Sequence, residues 1–221
     1  AMDPQQRVLL ELGYEAFENG AVAVDQLASE RVGSFIAIGN NDYGIGMLGN
    51  HLDLYVGTGI SATAASGRIN HTFGFTGPAI SIDTACSSTL VTIHLAAQSL
   101  RNRESDLALA GGVNLVMTPI SSVNMTMLNA LAPDGRCKTF AADADGYGRG
   151  EGAGMVLLKR LSDARADGDR ILAVLHGSAI NHDGRSSGLT VPNQRSQEQV
   201  IRAALDAAGV EPGDISYVEA H

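Results

Sequence analysis

Tryptophan is absent from these 221 residues, and aromatic side chains make up only 5% of them. A core built from this chain must rest on aliphatic and small side chains, because the rings that dominate burial elsewhere are scarce. Basic charge is also short: 15 Lys and Arg stand against 24 Asp and Glu, a formal net charge of −9. That balance excludes a general electrostatic affinity for nucleic acid or an anionic membrane, so an acidic partner has to find a local basic patch, such as Arg101 and Arg103 could supply. Cysteine occurs twice, at Cys86 and Cys137, in dissimilar contexts and without metal-ligand spacing, which points to a reducing cytoplasm and no disulfide. No apolar run is long enough to span a bilayer, and no signal peptide is recognisable. With 44% hydrophobic and 18% charged residues, the chain reads as globular, long enough for one substantial core.

What is present centres on Asp83-Thr84-Ala85-Cys86-Ser87-Ser88. The run Ala79-Ile80-Ser81-Ile82 before it is short and apolar, as a buried strand requires. After it, Leu90, Val91, Ile93, Leu95, Ala96, Ala97 and Leu100 recur at helical spacing. Cys86 therefore stands where a strand turns into a helix. A thiol at a helix start meets unpaired N–H groups and the positive end of the helix dipole, which lower its pKa from about 8.5. Ala85, Ser87 and Ser88 are small enough to leave a substrate room. The same local pattern also suits a small buried thiol acting only as a hydrophobe.

Strand and helix signals alternate along the chain. Asp3-Pro4-Gln5-Gln6 reads as an N-cap, a proline at the first helical position and a capping-box glutamine. Strands are expected at Ser34 to Ile38, Leu107 to Ala110, Met155 to Lys159, Ile171 to Ile180 and Ile215 to Glu219. Helices are expected from Ser61 to Phe73, around Met125 and Met127 from Ile120 to Leu131, after a cap at Ser162, and along Val200 to Ala208 before Gly209. Such alternation argues for an α/β layered fold with largely buried central sheets.

Several tempting signals lack the context they need. Gly44-Ile45-Gly46-Met47-Leu48-Gly49 matches a dinucleotide fingerprint, yet a loop separates it from the preceding strand and no acid stands about 20 residues on. The glycines at 146, 148, 150, 152 and 154 lead into a strand rather than a helix, so close backbone packing explains them better than a phosphate does. No histidine or cysteine spacing suits a metal. His51, His71 and His176 read as surface or hydrogen-bonded core residues, and His182 as part of a turn. His94 lies eight positions after Cys86, roughly 12 Å along a helix axis, too far to be its base. His221 ends a strand that would deliver it toward a cleft.

The motifs, taken in order, resemble the β-ketoacyl synthases, and specifically the ketosynthase domains of modular polyketide synthases. Those motifs are Asp3 to Arg7, Asp83 to Ser88, Ala110 to Asn114, Asp134 to Phe140, Gly146 to Gly154, Asn181 to Gly184 and Val218 to His221. Departures are modest: Gly13 to Glu18 stands where the family has a tryptophan-containing helix end, and His182 where many members carry glutamine. The resemblance implies a thiolase-like α-β-α-β-α fold, with residues 1–184 as a nearly complete first half and 185–221 as the start of a truncated second. An internal piece of a longer synthase is expected.

The resemblance further implies an acyltransferase that condenses an acyl-Cys86 thioester with a malonyl-type extender by decarboxylative Claisen chemistry. His221 would donate hydrogen bonds to the enolate, and Met125 and Met127 would line the acyl pocket. Substrates would ride on the phosphopantetheine of an acyl carrier protein, with no cofactor or metal bound by the chain itself. Partners would be that carrier, neighbouring synthase domains, and a second copy joined through strand 79–83. A Cys-His hydrolase, a chain-length partner or loading domain lacking the cysteine, and a non-elongating ketosynthase that only binds or passes acyl chains are the alternatives.

Overall fold

Phe35 and Ile36 are neighbours in sequence but enter different cores, and this divergence organises the sheet. Side chains alternate across a strand, so a sheet covered on both faces needs apolar residues at successive positions. The strand β1 (Val32–Ala37) is buried at all six. The computed structural model describes residues 2–47 and 53–221. His51 and the last two fingerprint positions, Leu48 and Gly49, lie outside the described residues. The chain forms two compact units, residues 1–163 and 164–221, each taken by itself below.

In the first unit the order is α1 (Pro4–Asn19), β1, α2 (Asp42–Gly46), α3 (Val56–Ile60), α4 (Thr63–Phe73), β2 (Ala79–Ile82), α5 (Ser88–Arg101), β3 (Leu107–Asn114), α6 (Ile120–Met127) and β4 (Gly152–Lys159). The sheet runs β2-β1-β3-β4. β1 is parallel to both β2 and β3, while β4 returns antiparallel along β3. On one face Ile36, Ile38, Leu107, Leu109 and Val113 pack with Leu9 and Phe17 of α1 and Ala65 and Ile69 of α4. Burying each of the larger side chains stabilises by about 1.5–3 kcal/mol. Three of the chain's phenylalanine rings meet here: Phe17, Phe73 and Phe75 lie with centroids 5.5 to 6.3 Å apart.

The opposite face is made of small residues. Ala108 and Ala110 meet Ala96 and Leu100 of α5, together with Phe35. Small residues let α5 approach closely, and Gly112 makes the limit plain: a Cβ there would come within 2.6 Å of Thr89 Oγ1 and 2.7 Å of Ala37 Cβ. α5 carries apolar residues beyond the side that the sheet covers, and Leu90 is 72% exposed there.

Several expectations change. Asp3 caps α1 by accepting the Gln5 N–H at 2.8 Å, with Pro4 at the first helical position. Gln6, however, forms no capping box. Its buried amide donates to the carbonyls of Thr58, Gly59 and Ser61 and accepts from Arg68, because those carbonyls have no ladder to satisfy them. The Met-rich helix ends at Met127 rather than Leu131. Close approach explains Gly146 and Gly148, which face the backbones of residues 130–132 and 135, but Gly150, Gly152 and Gly154 border open space.

α7 (Leu161–Asp167) begins one residue before Ser162, whose hydroxyl bonds Asp163 Oδ1 instead of capping the helix. In the second unit, α8 (Gln194–Ala208) is capped by Asn193 and, as expected, closed by the left-handed Gly209. The segments 171–180 and 215–219 are no strands: among the described residues no neighbour offers them a ladder, and alternation alone does not make a strand.

Candidate active site

β2 ends at Ile82, and the next six residues turn the chain back over the carboxyl end of the sheet. This is the end where α/β folds place ligands. Ala85–Ser87 forms one 3₁₀ turn and α5 starts at Ser88, so Cys86 lies in the turn before the helix rather than at its first position. The turn is stitched by its own short polar side chains. Asp83 Oδ1 accepts the Ala85 N–H at 2.9 Å. The Ser88 hydroxyl accepts the Thr84 N–H at 2.8 Å and donates to the Ala85 carbonyl at 2.6 Å. Ser87 Oγ donates to the Thr84 carbonyl at 2.9 Å.

These bonds hold Ala85 at φ +55°, a left-handed conformation that costs an alanine about 1–2 kcal/mol. The reversal brings Cys86 out as an exposed thiol between exposed Ala85 and Ser87. Beyond it stand the first-turn N–H groups of α5, which have no partner within the helix. Asp83 presses on the chain just past β1: a Cβ added to Gly39 would lie 2.7–2.8 Å from all three atoms of the Asp83 carboxylate group. An accessible thiol on a strained, hydrogen-bonded turn at the sheet's carboxyl end can attack a carbonyl carbon presented from solvent.

The other expected residues belong to other elements of the chain. His221 belongs to the second unit, where it ends an exposed, extended segment. In that segment Tyr217 donates to Glu219 Oε2 at 2.7 Å, and the carboxylate holds the phenol above its usual pKa. Met125 is half-buried and Met127 is 78% exposed on α6, a helix with no buried residue. Cys137 is exposed but engaged, since its Sγ accepts the Gly148 N–H at 3.3 Å. Its neighbour Lys138 bridges Asp145 at 2.6 Å and Asp134 at 2.9 Å, which raises the ammonium's pKa. His182 serves a turn, with Nδ1 accepting the Gly184 N–H at 2.8 Å. His71 and His176 are exposed. Among the described residues, no His, Cys, Asp or Glu group has metal-site geometry.

Sequence reasoning misses the residues that hold the site in place. Ser88 and Asp83 are visible only as parts of a motif, with no sign of which hydroxyl or carboxylate closes the turn. Asp42 reads as loop, yet it is 2% exposed and its Oδ2 accepts the N–H groups of Met117 and Thr118 at 3.1 Å each. From the other side, Arg149 donates to Ser121 at 2.9 Å and Ser122 at 3.0 Å, so the first turn of α6 is tied at two points.

Comparison with known proteins accords with this geometry. Residues 1–164 match the family "Beta-ketoacyl synthase, N-terminal domain", and residues 172–221 match its C-terminal domain. Over its whole length the chain is 50% identical to a phenolphthiocerol/phthiocerol polyketide synthase of Mycobacterium bovis and 52% identical to polyketide synthase GfsE of Streptomyces halstedii. It spans 12% and 6% of the lengths of those relatives. Among solved structures, the ketosynthase from module 6 of the Bacillus subtilis bacillaene synthase superposes with a TM-score of 0.91 at 45% identity, over 99% of this chain and 38% of that one. An oxazolomycin ketosynthase domain of Streptomyces albus gives 0.92 at 38%, over 99% of this chain and 39% of that one.

Proposed function

The chain belongs to the β-ketoacyl synthase family, and we propose that it is the acyl-accepting part of a polyketide ketosynthase. The observation that carries this is Cys86, an exposed thiol on the turn joining β2 to α5. In the first step the Cys86 thiolate attacks the thioester carbonyl of an acyl chain carried on phosphopantetheine, and the carrier thiol leaves. A malonyl-type extender then loses carbon dioxide. The resulting enolate attacks the acyl-Cys86 carbonyl, a carbon–carbon bond forms, and the Cys86 thiolate departs.

His221 takes the role of an N–H donor to the enolate oxygen, where charge develops in the transition state. Met125 and Met127 line the acyl chain's path, thioether side chains being flexible enough to adapt to it. Residues 1–184 form the first half of the domain and 185–221 the opening of the second. An acyl carrier protein and neighbouring synthase domains are the partners, in the cytoplasm. A second copy pairs along β2, an edge strand whose first two residues are exposed. The described residues contain no helix long and apolar enough to cross a membrane.

The test uses the full-length protein with an acyl thioester and a malonyl-type carrier thioester. Acylation should map by peptide mass spectrometry to Cys86, survive Cys137→Ala, and be followed by a β-ketoacyl product. Acylation that persists in Cys86→Ala, or loading with no carbon–carbon bond formed, overturns the assignment.

A further inference from the structure

We propose that Ser88 is a positioning residue: its hydroxyl locks Ala85 in the left-handed conformation that presents the Cys86 thiol. This deepens the reading of Cys86 as the acyl acceptor and rests on it. Ser88 is 7% exposed, so its two hydrogen bonds are partly shielded from competing water. One hydroxyl closes the turn from both sides, accepting from Thr84 N–H at 2.8 Å and donating to Ala85 C=O at 2.6 Å. The Thr84 N–H, one peptide unit before the strained residue's own amide, and the carbonyl leaving Ala85 are thereby tied to the first residue of α5, a helix that packs on Ala108, Ala110 and Gly112 of β3.

Ala85 has no intrinsic reason to hold φ +55°, because its Cβ disfavours that region. Asp83 Oδ1 restrains the Ala85 N–H at 2.9 Å, but that bond involves only the amide before the strained torsion. Ser87 Oγ holds the Thr84 carbonyl and the Ser88 N–H the Ala85 carbonyl, each on one side of the torsion, whereas the Ser88 hydroxyl bonds on both sides of it. Without the hydroxyl the turn is free to relax toward ordinary right-handed geometry, and Cys86 rotates away from its outward position. Glycine at position 85 would remove the need for the lock, since glycine reaches positive φ without steric cost.

The experiment measures iodoacetamide alkylation of Cys86 in the full-length protein across pH, following the Cys86 peptide by mass spectrometry, so it does not depend on condensation. Ser88→Ala is expected to lower the plateau rate about tenfold, the factor expected when a buried bonding pair no longer offsets the strain. Ser88→Thr, which keeps the hydroxyl, should react as the unmodified protein does. In the Ala85→Gly background, Ser88→Ala should cost less than about threefold, the strain having been removed. A merely structural serine would lower stability but leave the rate of the folded protein unchanged in both backgrounds. Equal rates for folded Ser88→Ala and the unmodified protein overturn the proposal. Should Ser88→Ala alone not fold, the comparison within the Ala85→Gly background decides, and a tenfold loss there overturns it too. Normal alkylation kinetics with no acyl transfer would instead count against the proposed function.

Discussion

Arg160 and Asp106 meet at 2.7 Å at the end of β4, and the same guanidinium reaches the carbonyls of Leu100 at 3.0 Å and Ser105 at 2.7 Å. Asp163 binds its Nε at 2.6 Å, so Arg160 ties the end of α5, the approach to β3 and the start of α7 into one node. Its side chain is 15% exposed, which keeps the bonds partly shielded from water.

Replacing Arg160 with leucine should therefore destabilise the domain by about 1–3 kcal/mol, because two carbonyls lose their donor. Urea unfolding of the ketosynthase region, read through protease resistance, measures this; no change in midpoint would show the node to be passive. Asp106 also predicts a pH dependence. Hydrogen bonding from Arg160 outweighs the opposing effect of burial and, with the added hydrogen bond and charge of Arg31, holds its carboxyl below the ordinary 3.8. A folded-state pKa below the unfolded one contributes stability that is present above 3.8 and lost as pH falls through the lowered value. The stability gap between the unmodified protein and Asp106→Asn should close over that acidic window. With Asp106 41% exposed, the gap is small even at neutral pH.

His221→Ala in the full-length protein should still load an acyl chain on Cys86, since the thiol is presented by a turn closed by its own hydrogen bonds. Product formation should fall by about two orders of magnitude, the scale for removing one oxyanion donor. Intact condensation with failed loading would reverse the two roles.

Met125→Phe should shift chain-length preference toward shorter acyl groups, because a rigid ring replaces an adaptable thioether. Met125 is the more informative of the pair, being half-buried where Met127 is open. The product spectrum from a series of acyl thioesters decides, and an unchanged spectrum in a folded variant assigns α6 to packing alone.

Ile80→Lys or Ile82→Pro should give a monomeric or insoluble protein. Among the described residues β2 pairs with β1 alone, at the edge of the sheet, and Ile80 is 40% exposed. Open edges invite pairing, and a two-fold contact satisfies both copies at once. Sedimentation that shows an unchanged, active dimer would place the interface elsewhere.

Local pattern in the chain is enough for the layered α/β class and for the placement of the first-unit strands, while it leaves Cys86 open between an accessible nucleophile and a buried thiol. β1 is apolar at adjacent positions because both its faces are covered. The caps at Asp3 and Gly209 are legible for a related reason, since a cap is set by residues close by in sequence.

Which polar group closes which bond is settled only in the folded chain. Gln6 looks like a capping box from its spacing, but it bonds carbonyls more than 50 positions away, where backbone outside any ladder needs donors. Residues 171–180 carry a strand's composition yet form none, because strand formation depends on a neighbour with free N–H and C=O groups. Ser88 is one of several small hydroxyl residues in its motif, and only the folded turn, with Ala85 held at positive φ between two of its bonds, singles it out.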